Sequence, residues 1–180
     1  GSLPGTQITV AITDNDSAVV SFASTSVSQL EAMSPMVFTV TLSNPVASGV
    51  TLTVNSSSGT AISPSDFTAI SGGTVSFAPN STTSQTVNVA IANDSLFEGN
   101  DTYTLALSNL VATGNVTLPP GTASATGTIT NDDDAPTITI SAPTVVEGNP
   151  PTDPALNFEV SLSAASGLPV NFSYATNGPA

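Results

Sequence analysis

The chain has 180 residues, 39% hydrophobic and 5% aromatic, and carries 13 Asp and Glu against no Lys, Arg or His, a formal net charge of −13. Nothing in it can meet nucleic-acid phosphates with positive charge, and without Cys or His there is no disulfide, zinc site, thiol nucleophile or Ser-His-Asp triad. A mean hydropathy of +0.24 separates it from a disordered acidic tail, and no apolar run nears the roughly 20 residues that span a bilayer.

Val, Ile, Thr and Phe in alternating runs, punctuated by Gly, Pro, Asn and Asp, predict an all-β chain. Its first segment, Leu3 to Ile12 (LPGTQITVAI), matches Leu118 to Ile129 (LPPGTASATGTI), so residues 1–16 read as the last strand of a preceding repeat. Residues 17–134 form one complete unit. Its seven main strands are expected at Ala18 to Ala23, continuing past a break to Val27, then at Met36 to Ser43, Gly49 to Asn55, Gly73 to Ala78, Gln85 to Ala92, Thr102 to Asn109 and Ala123 to Thr130. Alternation sends Phe38, Val40 and Leu42, or Tyr103, Leu105 and Leu107, to one buried face. Residues 135–180 then begin again: FTVTLSNPVASGVTLTV at Phe38 reappears as FEVSLSAASGLPVNF at Phe158, and the joint ITDND at Ile12 reappears as ITNDDD at Ile129. The expected architecture is a seven-stranded antiparallel immunoglobulin-like β-sandwich in tandem repeat.

If successive strands alternate in direction, the connections alternate between two ends of the sandwich. One end, called distal here, collects Glu31, Asp66, Asp94, Glu98, Asp101, Asp132, Asp133 and Asp134, whereas the proximal loops of the unit carry no acid. Charges kept for solubility should scatter over both ends. A carboxylate cluster in a chain without cations repels itself, and calcium, which takes roughly six to eight oxygens in irregular geometry, relieves it better than magnesium, which demands near-octahedral order. The alternative is a solvated, repulsive end that keeps molecules apart.

The run from Gly59 to Asn109, with GTA, SDF, GTVSFAPN and IANDSLFEGNDTY, followed by ATGTITNDDD, resembles the Calx-β domain, a repeat of sodium–calcium exchanger regulatory regions and of many extracellular adhesion proteins. The resemblance covers 17–134 as a whole and both flanks in part. It implies a sandwich that binds calcium in its distal loops, with Glu31, Asp66, Asp94, Glu98, Asp132 and Asp133 at the ligand positions, Asn131 or Asp134 as a further one, and one or two ions per repeat. The family's frequent Asp-Asp pair is Asn93-Asp94 here, and Asp101 is expected to cap the next strand.

Other features point less far. Seven N-x-S/T sequons, at Asn15, Asn55, Asn80, Asn93, Asn100, Asn115 and Asn171, are candidate glycosylation sites in a secreted protein, although a chain rich in Asn, Ser and Thr generates them by chance. Asp94 and Glu98 have the chemistry of a glycosidase pair, but with no Trp and no evident cleft an enzyme is not expected. The expected protein is a calcium-binding structural repeat of a long secreted or cell-surface stalk, adhesin or fibre, whose partners are calcium, neighbouring repeats and, less directly, other copies, surface glycans or proteins. The other reading is a recognition module that binds glycan or protein through the proximal loops, above all Leu110 to Thr122.

Overall fold

The computed structural model describes residues 9–11, 15–151 and 154–177. The lone strand expected at Leu3 to Ile12 lies mostly outside the described residues. Among these residues no helix is long and apolar enough to cross a membrane.

Nine strands lie between Ser17 and Thr130: β1 (Ser17–Phe22), β2 (Ser26–Leu30), β3 (Met36–Leu42), β4 (Val50–Ser58), β5 (Gly73–Phe77), β6 (Gln85–Val89), β7 (Asp101–Ala112), β8 (Asn115–Thr117) and β9 (Ser124–Thr130). They form two facing sheets, ordered β6-β3-β1-β8 and β2-β9-β7-β4-β5. The seven expected strands are all present; the continuation expected past the break to Val27 is a strand of its own, β2, which runs on to Leu30, and β8 is added to them. Most neighbours are antiparallel, but β1 pairs with β8, and β2 with β9, in parallel. The break between β1 and β2 has a local cause. The Ser24 hydroxyl donates to Ser26 O (2.6 Å) and accepts from Ser26 N (3.3 Å), folding the chain onto itself where it leaves one sheet for the other.

Period-two burial makes the core. Val20 and Phe22, Phe38 and Val40, Leu52 and Val54, Val75 and Phe77, Val87 and Val89, and Leu105 and Leu107 all face inward from the two sheets. At the centre the Tyr103 ring stacks on Phe67 (centroids 4.4 Å apart, 15° between planes) and meets the Phe38 ring edge-on at 6.1 Å. Such pairs contribute about 0.5–1.5 kcal/mol beyond the area they bury. The Tyr103 hydroxyl reaches Met36 Sδ at 3.2 Å, and burial holds its pKa well above the ordinary value for a phenol.

Beyond β9 the chain repeats a local design. β10 (Ile138–Ile140) pairs antiparallel with β11 (Val160–Leu162), Ile138 opposite Leu162 as Val20 is opposite Leu42. In the first pair Ser43 N donates to Val19 O and Val19 N to Ser43 Oγ; in the second Ser163 N donates to Thr137 O and Thr137 N to Ser163 Oγ. The counterparts of buried Val20, Phe22, Phe38 and Val40 are Ile138, Ile140, Phe158 and Val160, and these are exposed. The two regions touch where Phe97 and Ser166 form a parallel bridge and Gly167 N donates to Phe97 O at 3.0 Å.

Candidate metal centre

The ends of β2 and β9 and the loop before β7 converge at one end of the sandwich. Glu31 follows β2 directly, its amide continuing the ladder onto Thr130 O at 3.1 Å, so its side chain is delivered inward and is only 7% exposed. Asp133 lies three residues beyond β9. Asp94 stands near the start of the loop between β6 and β7, where its Oδ1 accepts the Leu96 amide at 2.7 Å and shapes the turn.

One carboxylate oxygen from each of Glu31, Asp94 and Asp133 lies within 4.8 Å of the other two. Oxygens bound at about 2.4 Å to a single calcium ion can stand at most about 4.8 Å apart, so the three satisfy the distance condition for sharing one. Glu31 Oε1 and Asp133 Oδ2 are both buried with no hydrogen-bond partner. Ionised carboxylates only accept, so two that face each other need a proton or a cation between them. The protonated alternative shows in the electrostatics: the Glu31 carboxyl is pushed up from 4.5 to about 7, first by burial, then by the Asp133 carboxyl, with which it could share a proton, then by the charges of Asp94 and Asp132. With no Lys, Arg or His in the chain, no side chain can serve as the cation. The donor set of hard, anionic oxygens suits calcium.

The remaining expected ligands stand around this group without joining it. Asp66 has turned its Oδ2 onto the Ile62 amide (2.7 Å), closing a turn, while its carbonyl accepts from Ala92 N. Glu98 lies against Gly167, and its pKa is raised by burial and then by Asp94, Asp66, Asp101 and Asp133. Asp132 is exposed and reaches Glu31 through its charge. Asp101 opens β7 opposite Ile129. Asn131 turns out to be a strut: its Oδ1 accepts Glu98 N at 2.9 Å and its Nδ2 donates to Asp133 O at 2.9 Å, fixing the backbone on either side of the acids. Only its place inside the run ITNDDD hinted at this.

The model of the Calx-beta domain matches residues 13–134. The chain belongs to the Calx-beta domain family. Its fold is similar to three crystal structures: the apo form of the Calx CBD1 domain (TM-score 0.58, 22% identity, 64% of this chain and 98% of that one), the calcium binding domain CBD12 of CALX1.1 (0.57, 20%, 68% and 50%) and the Calx CBD2 domain (0.54, 10%, 63% and 86%). The chain thus spans half the length of that CBD12. At these identities the likeness is one of fold. Among curated proteins none matches the chain. Within this Calx-beta sandwich, the loops after β2, β6 and β9 bring Glu31, Asp94 and Asp133 together.

Proposed function

We propose that the chain is a non-catalytic, calcium-binding structural repeat of a longer secreted or cell-surface protein, acting as stalk, adhesin or fibre. Glu31, Asp94 and Asp133 hold the ion, and Asp66, Glu98 and Asp132 complete or surround its shell. The observation that carries this reading is the pair of buried, partnerless oxygens on Glu31 and Asp133, which a cation would satisfy. Family membership, and the printed description of CBD12 of CALX1.1 as calcium binding, support the choice of ion. The β10–β11 pair, bonded like β1–β3, supports a second repeat beginning at residue 135. Calcium would then root the short joint between repeats, because Asp133 belongs both to the centre and to the connection.

Binding to the native state alone adds RT ln(1 + [L]/Kd) to stability. With Kd at about 10⁻⁴ to 10⁻³ M, as in extracellular modules, millimolar calcium should add on the order of 1 kcal/mol. Calorimetric titration and thermal melts with and without calcium test this, and an unchanged midpoint with no binding heat would remove the site.

A second reading rests on the opposite end. A cleft of about 300 Å³ there is lined by Asp16, Asn44, Asn80, Thr113 and Asn115, a carboxylate among the amides and hydroxyls of a polar recognition surface. A glycan or protein bound there, and lost on substitution of Thr113 and Asn115, would favour a recognition module.

A further inference from the structure

We propose that the sandwich is built to carry tension along the chain, with the parallel pair β2–β9 as its clamp. The chain enters the sandwich at Ser17 and leaves it after Thr130, and it continues on both sides. β2 and β9 run the same way and pair directly, Ser26 to Leu30 against Thr126 to Thr130, five consecutive residue pairs. Pulling the chain backward from Ser17 and forward from Asp134 therefore loads β1 lengthwise against β3 and β8, and behind it β2 lengthwise against β9.

In that geometry every rung is strained together, and none can open until its neighbours do. An antiparallel pair pulled from the two adjacent strand ends opens one rung at a time, each offering only its own small resistance. Both ends of the clamp are closed by main-chain bonds, Thr126 N to Thr25 O at 2.9 Å and Glu31 N to Thr130 O at 3.1 Å, and the Ser28 and Thr130 hydroxyls meet across it at 3.2 Å. The strand leading into it, β1, is itself held lengthwise by β3 and β8.

The clamp also explains the placement of two acids. Glu31 is the residue after β2, and Asp133 lies three residues beyond β9, so a carboxylate oxygen of each comes within 4.8 Å of the other at the same end of the sheared pair. An ion between them ties together the two strands that tension would separate. This second part rests on the calcium reading above; the clamp itself follows from strand direction alone.

Forced unfolding reads the kinetic barrier along the chosen axis, so the test is to pull one protein along two axes. The chain has no Cys, so attachment points can be chosen freely. The full chain tethered by its two ends loads β2–β9 in shear. The same chain carrying Ala47→Cys and Thr82→Cys, both exposed, peels β5 from β4, which are also paired over five residues, from Val50–Phe77 to Val54–Gly73. At equal pulling speed the end-to-end axis should need a several-fold higher force, and equal or lower force overturns the clamp. Calcium chloride should raise the end-to-end force and leave the peeling force unchanged. If the anisotropy holds but calcium leaves it unchanged, although titration of the same chain shows binding, the clamp stands and the ion's share in it is overturned. If titration shows no binding, the calcium reading fails and the clamp is judged on the anisotropy alone.

Discussion

The ring of Tyr103 lies over Gly127, its directly paired neighbour on β9, so closely that a Cβ on the glycine would fall 2.5 Å from the ring's Cζ and 2.6 Å from Cε1. The ring is fixed on its other sides by Phe67, Phe38 and Met36. Gly127→Ala should therefore cost about 1–3 kcal/mol, the range for overpacking a core. Denaturant unfolding measures it, with Gly121→Ala, which meets nothing within 4 Å, as a comparison expected to change little.

Without calcium, stability should fall as pH rises. Glu31 has a folded pKa of about 7 against an ordinary 4.5, so between these values the folded chain holds more protons than the unfolded one. The slope of unfolding free energy with pH is then negative, the contribution being full below pH 4.5 and lost as pH passes 7. Calcium must displace the same proton, so its affinity should rise over that window. Melts of calcium-depleted protein from pH 4.5 to pH 8 check the first part, titrations the second, and Glu31→Gln should flatten both.

Removing a converging oxygen should differ from removing an acid. Asp94→Asn keeps an oxygen for the Leu96 amide but loses the charge, and should weaken calcium about tenfold or more, which is about 1.4 kcal/mol. Asp66→Ala should instead cost about 1 kcal/mol of fold stability through the lost Ile62 bond, with a smaller change in affinity. Glu159→Ala, just before β11, should leave affinity unchanged. If all three shift affinity alike in calorimetry, charge density and not coordination governs binding.

The contact between the sandwich and the segment after it sets Gly167 against the Glu98 side chain, which must swing aside for any larger residue. A Cβ on Gly167 would lie 2.8 Å from both Cγ and Oε1 of Glu98. Gly167→Val, whose branched side chain Glu98 must yield to, should loosen Ser166 and Gly167 from Phe97 without lowering the stability of the core. Hydrogen exchange at the Gly167 amide, now bonded to Phe97 O, should quicken while amides of β7 and β9 stay protected.

The core was legible in the sequence because side chains alternate with period two: Phe38, Val40 and Leu42 announce their face without help from any partner. The acidic end was legible for a similar reason, since counting strands fixes which loops share an end. Strand β8 was not. Three residues, Asn115–Thr117, carry too little pattern, and they form a strand only because the start of β1 lies alongside. The division among the acids was equally hidden. Asp66 and Asp94 look alike in the sequence, yet one carboxylate closes a turn onto Ile62 while the other reaches Glu31 and Asp133, a difference set by a few ångströms of loop path.

The crowding of acids at one end of the sandwich, opposite loops of amides, hydroxyls and prolines where Asp16 is the one acid among the cleft-lining residues, makes the unit a vector. In an array whose units all point the same way, a negative band recurs once per module along the axis. Two such filaments side by side and in step would set band against band; slipped by half a module, each band would face the uncharged Ser- and Thr-rich flank of a sheet. For filaments of that kind, one or two calcium ions per unit would offset part of each band and weaken the preference for the slipped arrangement.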